Sequence, residues 1–377
     1  MPNRLTGKPQ LNRFVNRRLI LDKIRREGEI SRADLAKQTA IRPPTVSAVI
    51  KELIDEGLVE EIGAGETSGG RAPRMLALSR NHLRALGFDM SDTAIIAGLC
   101  DLNGDLRVER EIPYTPLPPL DALDQLHELG ADVLKQAGLD WSGLQGIGIA
   151  LPGHLNAQTG HVRWSKPFNW HDVPFKDLCE ARWGVTTDVI NDSLAGGMAS
   201  HHFAADDSLN NLVFLYLRFQ EPAHLEMGIG AGIIINGSPY HGQFGAAGEV
   251  TTLVDHPFVH VAKSGAPPYA SVAAFTDAVL AGAPAAVGAL EAVSQELSSL
   301  VIHIVNLLEP GALVIGSDVP ALRDVMLPSF QQSLDAHNLP HQVGRTRIVA
   351  STLGQFGVAR GAVVPTLQRL FRIPQWS

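Results

Sequence analysis

Apolar residues between positions 40 and 61 recur at the spacing of an α-helix, which gives that helix one core-facing side. The apolar positions of this side are Val46, Val49, Ile50, Leu53 and Ile54. Gly57 is placed to end the helix. The same reasoning predicts a helix over about residues 13–27 and another over 31–39, where Ser31 is a favourable N-cap. We therefore expect a small core of three helices.

The opposite face of the third helix carries short polar or methyl-bearing side chains and two cations. They are Arg42, Thr45, Ser47, Ala48 and Lys51. Such a face can enter the major groove of DNA and contact base edges. Strand-like segments at 58–62 and 75–78 flank a glycine-rich loop, which indicates a wing. Its candidate contacts to phosphates or the minor groove are Gly70, Arg71 and Arg74.

The net charge changes sign at about residue 80, where the predicted wing ends. Residues 1–80 contain 15 Lys and Arg against 10 Asp and Glu, a net charge of +5, whereas the rest contains 16 against 29, a net charge of −13. A basic segment on an acidic body is expected where one end of a protein meets a polyanion. We therefore predict that residues 1–80 form a winged helix-turn-helix domain that binds double-stranded DNA. A module that only packs or dimerises is the alternative.

Beyond residue 83 strands and helices alternate. The predicted strands cover residues 85–90, 93–100, 106–112, 144–150, 188–190, 211–219, 229–237 and 312–316. The predicted helices cover about residues 120–136, 194–203 and 285–308. This alternation predicts an α/β body over residues 83–377 and favours two related lobes.

Composition narrows the class of protein. Hydrophobic residues make up 45% of the chain and charged residues 19%, as in ordinary globular proteins. No apolar run reaches the roughly 20 residues of a membrane span, and no signal region follows the basic amino terminus. The two cysteines, Cys100 and Cys179, have neither redox nor metal-binding spacing. We expect a cytoplasmic protein without a membrane partner.

Several segments together resemble one family. They are TVSAVIKELIDEGLVEE, SGGRAPR, LPGHLNAQTGHVRW, VINDSLAGGMAS, GIGAGIIINGSPYHGQFGAAGEV, EPGALVIG and GVARGA. Through them the chain looks like the ROK family of repressors and sugar kinases, over nearly its whole length. The resemblance implies that the winged helix-turn-helix precedes a two-lobed, actin-like (hexokinase-type) ATPase fold.

The resemblance also implies a sugar site. Asp192 matches the family's general base toward a sugar hydroxyl, Glu249 matches a sugar-binding Glu, and Asn169 and Gly153 match a sugar-side Asn and Gly. The pattern itself places Asn191 and Asp192 between a strand and a helix, where ligands of open α/β sheets collect. The alternatives are an exposed helix N-cap for Asp192 and a solvated loop acid for Glu249.

The chain departs from the family's kinases at three nucleotide-binding elements. The phosphate hairpin Asp-x-Gly-Gly-Thr reads Asp-Met-Ser-Asp-Thr at 89–93. The loop Gly-Thr-Gly-x-Gly reads Glu-Met-Gly-Ile-Gly at 226–230, and the three glycines on the adenosine side read Gly-Ser-Asp at 316–318. Bulky or acidic side chains would then lie where backbone N–H groups bind phosphates. We expect no kinase activity and no cofactor.

The family's structural zinc site also lacks its ligands. Thr252 stands where a His is expected, which also removes a sugar contact, and no Cys follows Cys179. His256 and His260 have the spacing of a pair on one helix face, but Pro257 argues against a helix there. We therefore expect no metal.

These expectations combine into one hypothesis. The chain would be a homodimer or higher homo-oligomer that regulates transcription, as a repressor of carbohydrate uptake or catabolism genes, with a sugar or sugar-phosphate effector. Two alternatives stay open. One is a sugar kinase with an accessory N-terminal domain, and the other is a DNA-binding regulator tuned by a protein partner instead of a sugar.

Overall fold

The computed structural model of the chain has an N-terminal head followed by a body built on two large sheets. It describes residues 8–64, 73–79, 85–156, 158–203, 207–221, 226–250, 254–337 and 344–371. Gly70, Arg71 and Thr252, which the sequence singles out, lie outside the described residues.

The head combines three helices with a small antiparallel sheet. Its elements are α1 (Lys8–Glu27), β1 (Ile30–Ser31), α2 (Arg32–Thr39), α3 (Pro43–Asp55), β2 (Val59–Ala64) and β3 (Arg74–Leu78). Ser31 caps α2 by accepting the backbone N–H of Asp34 at 3.1 Å, and Ala40 ends α2 in the left-handed region. Pro43 occupies the first turn of α3, where its missing N–H would have no helical partner. β3 pairs with β1 and β2, so both strands of the predicted wing share one sheet.

The first lobe of the body contains a large sheet, a small sheet and two helices. Its elements are β4 (Ala85–Met90), β5 (Ala94–Cys100), β6 (Leu106–Pro113), α4 (Pro119–Gln136), β7 (Gly146–Leu151), β8 (His154–Asn156), β9 (His161–Ser165), β10 (Trp170–Val173), α5 (Phe175–Trp183) and β11 (Thr187–Asn191). The large sheet has the order β11-β7-β4-β5-β6, and β8, β9 and β10 form the small one.

The second lobe repeats this plan. Its elements, with the helices that join the lobes, are α6 (Asp192–His202), β12 (Leu212–Arg218), β13 (Gly228–Ile235), β14 (Ser238–Pro239), α7 (Pro257–Lys263), α8 (Val272–Leu280), α9 (Pro284–Leu308), β15 (Ala312–Ser317), α10 (Pro320–His337), β16 (Arg347–Ala350), α11 (Gly357–Ala362) and α12 (Val364–Phe371). Its sheet has the order β14-β13-β12-β15-β16. In both lobes an antiparallel three-stranded meander continues into two parallel strands, which is the duplicated α/β architecture expected from the sequence.

Helices α6 and α11 lie between the two sheets and pack on each other. Glycines make this close approach possible. A Cβ on Gly361 would lie 2.0 Å from the carbonyl oxygen of Ala195, and one on Gly148 would lie 1.9 Å from that of Ala362. Since real Cβ atoms do not approach so closely, any larger residue would separate the helices or the sheet from them.

The head and the body share one hydrophobic core. Ile24 of α1 belongs to the same buried cluster as Cys100 at the end of β5 and Leu367 and Phe371 of α12. The guanidinium of Arg25 lies 5.5 Å from the centre of the Phe371 ring. The orientation of the head is therefore set by packing against the body as well as by the connecting chain.

One helix of the described residues, α9, is long and apolar enough to cross a membrane by length and composition alone. Its apolar side is buried in the second lobe, with Val293, Leu297 and Val301 fully covered. Core helices of this kind pass the same test, so α9 does not indicate a membrane protein.

The prediction that Pro257 prevents a helix between His256 and His260 was wrong. α7 begins at Pro257 because a proline is tolerated in the first turn, where its N–H is not needed. His256 is the N-cap, and His260 on the helix lies 3.3 Å from Glu296. Among the residues described, no group of three His, Cys, Asp or Glu side chains could hold a metal ion.

Candidate functional site

The solvent-facing side of α3 carries the side chains predicted to contact DNA. Arg42, Ser47, Ala48 and Lys51 are exposed and Thr45 is half-buried, because the apolar side of the helix fills the core of the head. Within the described part of the chain, the side chains of Arg42 and Lys51 have no ion-pair or hydrogen-bond partner. Two unneutralised cations therefore flank a face of small side chains, which suits close approach to a duplex.

Arg74, another predicted cation of the DNA interface, is engaged within the head. Its guanidinium pairs with Glu61 of β2, which also pairs with Arg32 at 2.7 Å. The hydrogen bonds from Arg74 and then from Arg32 lower the pKa of the Glu61 carboxyl. Arg74 could therefore reach a phosphate only by exchanging its contact with Glu61.

Two arginines of α1 pair with glutamates at the end of α3. Arg13 donates to Glu52 at 2.7 Å, and Arg17 donates to Glu56 at 2.7 Å. Exposed pairs of this kind stabilise little, so we take them to orient α3 on α1. They also neutralise part of the positive charge that the sequence assigns to the head.

A second cluster of functional side chains lies where strands of both large sheets end. Asp89 is the penultimate residue of β4, Asp192 follows β11 at the start of α6, Arg218 ends β12, and Asp318 follows β15. We call these four residues the interlobe cluster. All four carry charge and three are less than 9% exposed, namely Asp89, Asp192 and Arg218. The position matches the sheet edge at which α/β proteins bind ligands.

Asp192 forms a buried ion pair with Arg218. Its Oδ2 accepts from Arg218 Nη2 at 2.6 Å, and its Oδ1 accepts from the backbone N–H of Ser193 at 2.7 Å. Only 5% of Asp192 and 8% of Arg218 is exposed, so the exposed N-cap interpretation of Asp192 was wrong. Sequence reasoning missed Arg218, although a cation at the end of the apolar run NLVFLYLRF was a signal.

Asn191 is the N-cap of α6. Its Oδ1 accepts from the backbone N–H groups of Ser193 and Leu194 at 3.0 and 3.1 Å, and its Nδ2 donates to the carbonyl oxygen of Gly153 at 3.2 Å. These contacts hold two predicted sugar-site residues, Asn191 and Gly153, beside each other. They also commit most of the Asn191 amide to the protein itself.

Asp89 and Asp318 face the same guanidinium. Burial raises the pKa of Asp89 to about 7; Arg218 opposes this, while Asp192 and Asp318 add to it. Although Asp318 is exposed at the surface, desolvation raises the pKa of its carboxyl to about 6, against the effect of Arg218. Asp89 Oδ1 is buried and has no hydrogen-bond partner among the described residues. Three carboxyl groups thus share one guanidinium.

Some backbone N–H groups beside the altered nucleotide-binding elements already have partners within the chain. Ser91 Oγ accepts from Ala94 at 2.9 Å and from Thr93 at 3.3 Å in the hairpin between β4 and β5. At the start of the loop after β12, the Asp318 carboxylate accepts from Phe219 at 3.0 and 3.2 Å. The chain's own oxygens thus occupy donors of the kind that bind phosphate.

Glu249 lies at the rim of the cleft. Although much of its side chain is exposed, desolvation raises the pKa of its carboxyl, the charge of Asp192 adds to this, and His154 opposes it. Glu249, Asp192 and the Gly153–His154 segment therefore surround one region. Asn169 is exposed in the turn before β10, and no described contact joins it to the others.

Two contacts cross the rim of the cleft between the lobes. His154 Nε2 lies 3.2 Å from the carbonyl oxygen of Phe244, and Lys166 donates to Glu226 at 2.8 Å. Two cavities, of about 610 and 280 Å³, lie at the seam between head and body. A ligand that separates the lobes would break both rim contacts.

Two family descriptions match the chain. Residues 85–255 match the ROK family, and residues 15–60 match a winged helix-turn-helix DNA-binding family. The chain carries a ROK family domain behind a winged helix-turn-helix head. Both parts of the assignment made from the sequence are confirmed.

Several proteins similar to this chain are named as transcriptional regulators. A putative xylose repressor of Caldicellulosiruptor sp. (strain Rt8B.4) is 31% identical over 245 residues, which cover 65% of this chain and 59% of the relative. The DNA-binding transcriptional dual regulator NagC of Escherichia coli (strain K12) is 22% identical over 397 residues, which cover 95% of each. The match thus spans 59% of the length of the first of these relatives.

Solved structures share the fold of the ROK chain. A ROK family transcriptional regulator, described as a homolog of the E. coli MLC protein, superposes with a TM-score of 0.78 at 22% identity, covering 96% of this chain and 97% of that one. A ROK family glucokinase from Streptomyces griseus gives a TM-score of 0.62 at 20% identity, covering 74% and 97%. Regulators and kinases thus have the same actin-like body.

Arg218→Met should lower the free energy of unfolding by about 3–5 kcal/mol, because it leaves buried carboxylates without their cation. Asp192→Asn should lower the free energy of unfolding by a smaller amount, since Arg218 still faces Asp89 and Asp318. In the double variant the two losses should not add, as measured by denaturant titration. If the losses of the two single variants added up to the loss of the double variant, an interaction between Asp192 and Arg218 would be contradicted.

Asp89→Asn should change how stability depends on pH. An acid whose folded pKa, about 7, exceeds its ordinary 3.8 loses stabilisation as the pH rises between those values. Between pH 5 and pH 8, the free energy of unfolding of the variant should therefore rise relative to that of the wild type by at least about 1 kcal/mol. Asp132→Asn, an exposed acid of α4, is the control. If the free energy of unfolding changed with pH in the same way for all three proteins, the raised pKa of Asp89 would be contradicted.

Proposed function

We propose that this ROK chain is a DNA-binding transcriptional regulator, a repressor of carbohydrate uptake or catabolism genes, and that its body senses a sugar or sugar phosphate without phosphorylating it. One observation carries the proposal. Asp192, at the place of the catalytic base in the kinases that the chain resembles, is locked in a buried pair with Arg218. The same chain presents an unneutralised recognition face on α3.

The head supplies the DNA-binding part of this function. Arg42 and Lys51 provide charge for phosphates or guanine edges, and Thr45, Ser47 and Ala48 provide hydroxyl and methyl contacts. We assign Gly70, Arg71 and Arg74 to the wing contact as predictions from the sequence. A homodimer would place two such heads on an operator with two half-sites.

Kinase chemistry is disfavoured at three points. Both oxygens of Asp192 already accept hydrogen bonds from the protein, so a sugar hydroxyl would share this carboxylate with Arg218 and with the backbone of Ser193. Ser91 occupies the backbone N–H of Ala94 at the phosphate hairpin, and Asp318 occupies that of Phe219 after β12. The negative charge of Asp318 would also repel a triphosphate. We therefore propose that the body has no nucleotide cofactor.

The sugar-binding part rests on Gly153, Asn169, Asn191, Asp192 and Glu249. Carboxylates that accept hydroxyl groups lie on both sides of the cleft, with Asp192 at its base and Glu249 at its rim. Relatives named for xylose and N-acetylglucosamine favour a sugar effector here as well. Such a sensor of metabolites would act in the cytoplasm.

Helix α6 offers the route from effector to head. It begins at Asp192, packs closely on α11, and ends at His202 beside α1. Burial lowers the pKa of His202 to about 3, with Arg25 of α1 adding to the effect, so this end of the helix sits uncharged against the head. The next residue, Phe203, lies 3.8 Å below the guanidinium of Arg360. A shift of α6 would therefore displace the contacts that orient the head.

Lys51→Ala should weaken binding to duplexes from the chain's own promoter region, because it removes one cation from the recognition face. The slope of log affinity against log salt should fall by about 1 if Lys51 contacts a phosphate. Arg42→Ala should act in the same direction. Fluorescence anisotropy over a salt series measures both. Lys135→Ala, an exposed lysine of α4, is the control and should bind as wild type. An unchanged affinity for both head variants would remove α3 from the interface.

A coupled assay with ATP, magnesium and a panel of hexoses and pentoses should detect no turnover. Calorimetry should likewise detect no magnesium-ATP binding, because Ser91 already occupies backbone donors of the phosphate hairpin and Asp318 adds negative charge. Turnover by the wild type that disappears in Asp192→Asn would contradict the proposal and identify a kinase.

A further inference from the structure

The charge of the cleft restricts the chemical class of effector that the proposed function requires. Asp89, Asp192 and Asp318 surround a single guanidinium, and Glu249 adds a fourth carboxyl at the rim. The other nearby cation, Lys166, is paired with Glu226. Among the described residues, His154 beside Glu249 opposes the raised pKa of that carboxyl. When ionised, the acids outnumber the cations that face them.

Donors that could offset an anionic ligand are already in use. The backbone N–H of Phe219 donates to Asp318, and those of Thr93 and Ala94 donate to Ser91. Arg218 donates to Asp192 at 2.6 Å. A phosphate entering here would meet carboxylates without gaining the charge-assisted hydrogen bonds that normally bind it.

Neutral hydroxyl groups, in contrast, would find hydrogen-bond acceptors available in the cleft. Asp89 Oδ1 is buried without a hydrogen-bond partner, and Asp89 is only 6% exposed. Glu249 offers a partly desolvated carboxyl on the other side of the cleft. Hydroxyl groups can donate to both, which removes the cost of an unsatisfied buried acceptor.

The cavities at the head–body seam offer no better place for a phosphate. Acidic residues line much of the larger one: Glu27, Glu29, Glu60 and Asp105. In the smaller one, both arginines of α1 that line the cavity, Arg25 and Arg26, are paired with Asp22.

We propose that the effector is an uncharged, unphosphorylated sugar, and that Asp89 and Asp318 make the cleft reject sugar phosphates. This inference rests on the proposed function and narrows it to one class of ligand. Asp89 and Asp318 thereby act as specificity-determining residues.

The experiment compares hexoses with the corresponding hexose 6-phosphates by calorimetry on the full-length protein. At least one neutral sugar should bind at least about tenfold more tightly than its phosphate, because like charges repel in a partly desolvated site. Asp318→Asn and Asp89→Asn should narrow this ratio by raising affinity for the phosphate. Asp132→Asn should leave it unchanged.

Two results would overturn the inference. One is a phosphate that binds as tightly as its parent sugar or more tightly. The other is a preference for the neutral sugar that neither Asp318→Asn nor Asp89→Asn narrows although both fold, as shown by circular dichroism, since size and not charge would then cause it. If the protein binds its promoter duplex but neither kind of sugar, the sugar-sensing part of the proposed function fails, and this inference fails with it.

Discussion

A guanidinium held among three carboxyl groups is the interaction on which the body depends. Arg218 comes from the second lobe, Asp89 from the first, and Asp192 from the helix between them. Burying a single ion costs several kcal/mol unless it is paired, so Arg218 cannot be buried there without its carboxylates. The pair between Arg218 and Asp192 therefore ties the lobes together and takes the place that a free catalytic carboxylate would need.

This constraint extends to the head through close packing. α6 starts in the interlobe cluster, and the glycine at 361 lets α11 approach it so closely that neither helix can move alone. At its far end, α6 meets a core that head and body share. Opening or closing of the lobes can therefore change the setting of the head by a rigid-body shift, without unfolding any element.

Periodicity predicted the long elements because each depends on its own apolar face. α3, α4, α9 and the central strands of both sheets lie close to their predicted positions. The strands β8, β9 and β10 are too short for a periodic signal. Pro257 misled because a proline excludes a helix interior but not a helix start.

The contents of the site were predicted less completely than its location. The end of a strand before a helix identified Asp192, but its partner Arg218 is 26 residues away, and only the tertiary structure brings them together. The pairing of Arg74 with Glu61 likewise depends on the twist and bulge of the β2–β3 pair, which residue types do not specify.

The most direct test of a sensing body is thermodynamic reciprocity. The affinity of the protein for its promoter duplex would be measured with and without a saturating sugar, and the affinity for the sugar with and without the duplex. The account predicts that the sugar changes the affinity for the duplex, and the duplex changes the affinity for the sugar, by the same factor and in the same direction, in the absence of ATP. Sugar binding that leaves the duplex affinity unchanged would contradict it.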